Sequence, residues 1–391
     1  MEKTNIYYSP KRYFSKPMLL TGIIALILAC IGLVMNRRQF FHSYLVAYVF
    51  WVTLMLGALF FTMLHHISGA VWSTVLRRIM ENLMNSVPIM AIFFIPIIFG
   101  MHDLYHWTHK EAVVSDALLQ KKSPYLNTSF FILRTVFYFI IWFILSRTLF
   151  KTSLRQDDHF EATQIKKLRK ISAPGIVLFA ITITFAAFDW LMSLDPHWYS
   201  TIFGVYLFSG SFLSALAFVV IIAAILRRKN ILTDIITIEH YHDLGKFLFG
   251  FTIFWGYIAF SQYFLIWYGN IPEETIWFRH RWEGTWKYIT MLLVFGHFLI
   301  PFVLLMPRAV KRNIKFLVMI SVWILLMHFF DIYWLVAPSL FEHGFHFSLT
   351  DIFTFLGIGG IFLWFFWSRY LGAALVPIND PHLQDSINFL N

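Results

Sequence analysis

Ten runs of about twenty mostly apolar residues follow one another along the chain, near 17–35, 44–66, 83–101, 128–150, 174–194, 201–226, 247–268, 286–306, 314–336 and 350–374. Each is long enough to cross the hydrocarbon core of a bilayer as a helix. No water is available there to satisfy the main chain, so every N–H and C=O must pair within its own segment. The expected fold is an all-α integral membrane protein with ten transmembrane helices. Composition agrees, since 59% of residues are hydrophobic and 13% charged, about half the charged fraction of a soluble domain. The longest connections, 102–127 and 151–173, are too short to fold as a soluble domain, and Arg155 to Lys170 reads as a solvated loop or surface helix. The chain is one polytopic domain, 1–391. It divides into an N-terminal segment with the first span (1–43), spans two to four (44–150), spans five to nine (174–336), the tenth span (350–374) and a tail (375–391).

The 31 Lys and Arg outnumber the 21 Asp and Glu. In a membrane chain that excess collects in cytoplasmic connections, so it is not evidence for nucleic acid. With the N-terminus placed in the cytoplasm, that side receives about 22 basic residues, including Lys3, Lys11, Arg12, Arg77, Arg78 and the cluster Lys166 to Lys170; the opposite face receives about 8. Both termini are therefore expected to be cytoplasmic. The connections holding Asp195 to Tyr199 and Glu342 to His346 fall outside, where Trp198 and Tyr199 suit an interfacial aromatic belt. Spans two to five and six to nine make two sets of four running in the same directions, because a shift of four spans preserves direction. The single cysteine, Cys30, excludes an intrachain disulfide and a thiolate iron–sulfur site made by this chain alone. Ile27-Leu28-Ala29-Cys30 loosely resembles a lipoprotein processing box; the ordinary reading is a buried cysteine.

An ionised carboxylate within a span is costly and is read first as functional. Asp189 lies about one turn from the outer end of the fifth span and Asp331 similarly in the ninth, with His328 three residues earlier on the same helix face. Arg134 enters the fourth span from that side, and His102 and Asp103 end the third. A guanidinium beside Asp189 or Asp103 would lower the cost of burying either charge. Two roles stay open for this cluster, a buried ion pair that fixes helix packing and a proton-handling site. At the inner end, His65 and His66 precede Arg77, Arg78 and Glu81. Adjacent helical histidines point about 100° apart, a poor grip on one metal, so they are read as interfacial groups or a proton entry point. Tyr257, Gln262, His297 and His328 lie between the two layers, singly as interhelical hydrogen bonds and together as a water-supported route.

The blocks Ile171-Ser172-Ala173-Pro174-Gly175 and Phe185 to Gly204, with Phe188-Asp189-Trp190 at its centre, resemble the fifth-to-sixth-helix signature of the polysulfide-reductase-type (NrfD/PsrC-like) membrane subunits of alternative complex III. Leu64-His65-His66 through Trp72, Arg77-Arg78, Asp243-Leu244-Gly245-Lys246 and Ala259 to Glu274 are similar to the smaller of the two such subunits, the ActF type. The resemblance covers almost the whole chain. It implies two four-helix bundles, helices two to five and six to nine, flanked by helices one and ten. It also implies a place in a bacterial inner-membrane quinol:cytochrome c oxidoreductase that oxidises menaquinol or ubiquinol. Partners would be a larger paralogue (ActC), multihaem and monohaem cytochrome c subunits, an iron–sulfur subunit, a terminal oxidase and lipids. The c-type haems and iron–sulfur clusters would belong to those partners, with no cofactor or metal held by this chain.

On that reading the chain is an accessory subunit that supports assembly and carries protons, with Asp189, Asp331, His328, His65, His66, Arg134, Tyr257 and His297 as path candidates. The alternatives are a quinol-binding subunit in its own right, with His102, Asp103 or His197 near the ring, and a purely structural scaffold. A secondary transporter is disfavoured because the Pro88 and Pro96 helix has no broken counterpart in the other half.

Overall fold

The computed structural model describes residues 15–159, 161–341, 344–370 and 373–390. Lys3, Lys11, Arg12 and Glu342, which entered the orientation argument, lie outside the described residues. Among the described residues there is no strand. Ten helices are long and apolar enough to cross a membrane: α1 Lys16–Met35, α2 Arg37–Ser68, α3 Thr74–Phe99, α4 Thr128–Asp158, α5 Ala162–Leu194, α6 Phe203–Arg228, α7 Ile238–Gly269, α8 Trp286–Leu305, α9 Ile314–Ser339 and α10 Leu349–Ser368. This is the make-up of a multi-pass membrane protein.

Helices α2 and α6 occupy the middle. A helix surrounded by others must be apolar on all sides, and 94% and 89% of the residues in their apolar stretches are buried. Helix α2 touches α3, α5, α6, α9 and α10, while α6 also touches α5, α7 and α9. The two backbones meet at Gly57, where a Cβ would lie 2.3 Å from the Ser211 carbonyl oxygen. A second close crossing joins α1 to α10, where a Cβ on Gly360 would lie 2.6 Å from Gly22 Cα. Small residues allow such approaches, and van der Waals packing then holds the pair. Because α1 packs chiefly on α10 and α2, most of its surface faces outward, and Cys30 is exposed rather than buried as expected.

Several helices run beyond the apolar runs that announced them. Helix α2 starts at Arg37, where the Asn36 side chain caps the Gln39 amide, and α7 starts at Ile238 behind a capping box of Thr237 and His240. Arg77 and Arg78, expected in a connection, lie inside α3 and are buried. The stretch from Arg155 to Lys170 is not a separate element: it takes in the last residues of α4, which ends at Asp158, and the first of α5, which begins at Ala162. Helix α10 stops at Ser368, earlier than its apolar run. Hydropathy measures only the part that suits lipid, whereas capping and propensity carry a helix past the interface.

The tail folds back onto the Arg77 end. Arg77 Nη1 donates to Asp380 Oδ2 at 2.6 Å and Arg77 Nε faces Glu81 at 3.0 Å, while Arg78 pairs with Glu81 at 3.1 Å and Asp157 at 2.5 Å. Ser386 Oγ donates to the Trp72 carbonyl, and His240 Nε2 contacts the Ser386 carbonyl at 3.0 Å. Burial alone would raise the Asp380 carboxyl, but the Arg77 guanidinium and the His382 amide outweigh it and hold the group below its ordinary value of 3.8. A carboxyl depressed in the folded state stabilises it fully above about pH 4, and the contribution is lost as pH falls through the folded value. Asp380→Asn is expected to weaken the tail's hold by about 1–3 kcal/mol. Chymotrypsin should then trim the tail at least fivefold faster at pH 7; an unchanged rate would mean the tail is held without this pair.

Candidate functional site

Two buried carboxyl groups near the C-terminal ends of α5 and α9 are built in different ways. On α5, Asp189 is 0% exposed and receives a two-pronged contact from Arg134, Nε to Oδ2 at 2.8 Å and Nη2 to Oδ1 at 2.9 Å. Tyr138, one turn after Arg134 on α4, donates to Oδ2 at 2.7 Å. Arg134 also donates to the Tyr125 carbonyl at 2.9 Å, and its guanidinium lies over the Tyr125 and Phe130 rings at 3.8 and 4.2 Å. The fork matches the carboxylate plane, so charge and hydrogen bonding are both compensated. The expected guanidinium is therefore present at Asp189, whereas Asp103 pairs with Arg37 at 2.7 Å.

On α9, Asp331 is 2% exposed, and no cation meets it among the described residues. Tyr206 of α6 donates to Oδ1, and Trp255 of α7 donates to Oδ2 at 3.2 Å. One turn earlier, His328 contacts the Thr53 hydroxyl through Nε2 at 2.9 Å. That hydroxyl gives its own proton to the Phe50 carbonyl at 2.8 Å. His328 Nε2 is therefore the donor, and Nδ1, which has no partner, is left as an acceptor. His297 of α8 lies 6.5 Å from His328 between ring centres and 3.9 Å from Trp255, with both nitrogens unbonded. It sits in a π-helical stretch, Leu293–Leu299, a widening that often marks functional sites. Pro301 has no N–H to contribute to this region, and Trp323 Nε1 donates to the Gly296 carbonyl at 2.7 Å.

No family model and no curated protein matches the chain. The site must be read from its own chemistry. A carboxyl bonded only to neutral donors bears the desolvation cost of any charge it takes, so its protonation responds to charge arriving nearby. Asp331, His328 and His297 form such a group, whereas Asp189 and Arg134 form a closed pair.

The remaining expected residues are scattered. His65 Nδ1 contacts Ser73 at 2.8 Å and Nε2 faces Arg77 at 3.4 Å; a guanidinium only donates, so His65 is a neutral acceptor within the Arg77 network. His66 lies edge-on to it at 5.1 Å with Nε2 buried and unbonded. Tyr257 is 64% exposed and does not reach the interior group. His102 is exposed beside His109, and His197 bonds Asp116 at 2.5 Å on the surface, so His102, Asp103 and His197 each serve a different neighbour. Trp198, expected in an interfacial belt, is instead buried and stacked on Trp277 at 4.2 Å. Among the described residues no three or more His, Cys, Asp or Glu side chains are grouped as metal ligands would be.

Tyr206, Trp255 and Tyr138 were missed by the sequence reading. Tyr138 had a readable signal, its position four residues after Arg134 on one helix face. Tyr206 and Trp255 did not, because one residue in five is aromatic and nothing local marks these two.

A cavity of about 960 Å³ lies between α7 and α8, beneath the short helix Pro272–His280, and Tyr206 and Trp255 line its inner wall. Arg281, in the connection after that helix, donates to the carbonyls of Trp334, Trp277 and Leu335 at 3.0 to 3.1 Å and stacks on Trp277 at 3.4 Å. Burial lowers its guanidinium to about 9.

Proposed function

We propose that the chain is an integral membrane subunit of a quinol-oxidising respiratory complex of the alternative complex III type, and that Asp331 is its proton-exchanging group. The membership rests on the resemblance of the Phe185 to Gly204 block and of the Ala259 to Glu274 block. The proton role rests on one observation, a buried carboxyl held by Tyr206 and Trp255 without a cation, next to an open His328 nitrogen. Quinol gives up two protons with its two electrons, and a group whose charge is uncompensated can couple its protonation to charge changes in neighbouring subunits. The haems and iron–sulfur clusters, the larger paralogue and the oxidase are partners on this reading, in the bacterial inner membrane.

Two four-helix groups, α2 to α5 and α6 to α9, are supported by contacts of α2 with α3 and α5, of α4 with α3 and α5, and of α6 with α7 and α9. Cytoplasmic placement of both termini is supported by the basic residues and by the antiparallel fit of α1 on α10, in which Gly22 meets Gly360 and Gly32 meets Thr350. The tail, packed beside Arg77, lies at the same end.

Asp331→Asn tests the proton role. The Tyr206 hydroxyl can turn to accept from the new amide while Trp255 donates to its oxygen, so the variant is expected to fold and assemble. Quinol turnover and proton release by the intact complex should fall at least tenfold. Normal turnover and stoichiometry with normal assembly would eliminate this role for Asp331 and leave a scaffold.

A further inference from the structure

We propose that Arg147 and Arg369 bind the phosphate of an anionic phospholipid at the end of the bundle where the tail is clasped, with its acyl chains lying along the exposed stripe of α4. The inference goes beyond the respiratory role and does not depend on it, because it stands on charge and exposure within this chain.

Helix α4 turns one face outward along its length. The exposed apolar positions Leu133, Phe137, Ile140 and Ile144 recur at helical spacing, and the same stripe continues as Arg147, half-buried, and Lys151 and Arg155, both exposed. Residues three and four apart share a helix face, so apolar side chains give way along one line to cations about 6 Å apart. That order matches a phospholipid, with chains against the apolar part and a charged headgroup against the rest. Helix α3, which touches both α4 and α10, also exposes Ile92 and Ile95.

Basic residues at the end of a span are ordinary, since their stems snorkel and their charge sets orientation. Arg147 is set apart by a second guanidinium from another helix. Arg369 follows the last residue of α10, and the Phe365 ring holds its guanidinium at 4.4 Å. The charge acting on Arg369 is that of Arg147, a cation that opposes it. Its Nε is buried and has no hydrogen-bond partner among the described residues. A buried donor of this kind needs an acceptor. Among the described residues no acid pairs with Arg147, Lys151, Arg155 or Arg369. Arg77 and Arg78, at the same end, are matched by Glu81, Asp157 and Asp380. A phosphodiester supplies oxygens to both guanidinium forks. An ammonium headgroup would meet no carboxylate there, so a net-negative lipid is favoured over a zwitterionic one. Free phosphate would answer the charge and leave the apolar stripe unused.

The test titrates the detergent-purified full chain with dioleoylphosphatidylglycerol and, separately, dioleoylphosphatidylcholine, and reads bound lipid by native mass spectrometry. Wild type should take up phosphatidylglycerol saturably and at least tenfold more tightly than phosphatidylcholine. Arg147→Gln with Arg369→Gln should weaken phosphatidylglycerol binding at least tenfold, since each cation near an anionic lipid contributes a factor of about five. Lys166→Gln with Lys167→Gln removes the same charge from α5 and should leave binding within twofold of wild type. If the double arginine variant is not monodisperse, Arg147→Lys with Arg369→Lys decides, because it keeps the charge and loses the fork; binding should then weaken at least threefold. Equal affinity for the two lipids, arginine variants that bind like wild type, or an equal loss in the α5 variant would each overturn the proposal. Displacement of the lipid by millimolar inorganic phosphate would do so too, by making free phosphate the ligand. The measurement needs no partner subunit, so its failure is separable from loss of turnover in Asp331→Asn.

Discussion

Arg134→Met is expected to leave little folded protein, and adding Asp189→Leu in the same chain is expected to restore it. The single change strips Asp189 of both guanidinium contacts and leaves a 0%-exposed carboxylate bonded by Tyr138. Breaking a buried pair from one side costs about 3–5 kcal/mol, because a charge remains in a dry interior, whereas replacing both partners with apolar groups is often neutral or better. Against a total stability of about 5–15 kcal/mol, the single loss is severe. The measurements are the yield of monodisperse protein and its unfolding midpoint in detergent. Wild-type stability for Arg134→Met, or no recovery in the double variant, would refute the closed-pair reading. The double variant also bears on mechanism. If it assembles and turns over normally, Asp189 ties α5 to α4 and does not carry protons; if it assembles but loses proton release, the motif residue has the larger role.

Gly57→Leu is expected to abolish folding, because the obstacle is main chain. The first added atom would meet the Ser211 carbonyl oxygen at 2.3 Å and Ala215 Cβ at 2.6 Å, so α2 and α6 would have to separate. Overpacking a core costs about 1–3 kcal/mol where side chains can shift and more where they cannot. Even Gly57→Ala should lower the unfolding midpoint by several degrees. Gly250→Ala is the control, since nothing lies within 4 Å of its added carbon, and alanine favours a helix over glycine by about 0.5–1 kcal/mol. Equal midpoints for the two alanine variants would mean that the close α2–α6 approach is not limiting.

The pairing of Asp189 was partly legible beforehand, because Arg134 is the basic residue near the outer end of the fourth apolar run, Arg147 lying at its inner end, and a buried acid needs such a partner. Asp331 looked equivalent, at a similar depth four spans later. What separates the two acids is contributed by other helices, Tyr206 from α6 and Trp255 from α7, and no local pattern distinguishes these rings from the many others. The buried network at Arg77 was hidden for a related reason. Its acids, Glu81, Asp157 and Asp380, come from α3, α4 and the tail, and basic residues just beyond an apolar run look solvated until their partners fold onto them.

From sequence alone, the ten apolar stretches determined the all-helical architecture, because a main chain in lipid must satisfy its own hydrogen bonds and segment length is set by bilayer thickness. Only the tertiary structure decided which buried acid has a counter-charge, that the tail is clasped at the Arg77 end, and that a cavity of about 960 Å³ lies against Tyr206 and Trp255, which bond Asp331. Those features depend on side chains distant in sequence meeting at one depth and one helix face, and hydropathy records depth while leaving the facing undetermined.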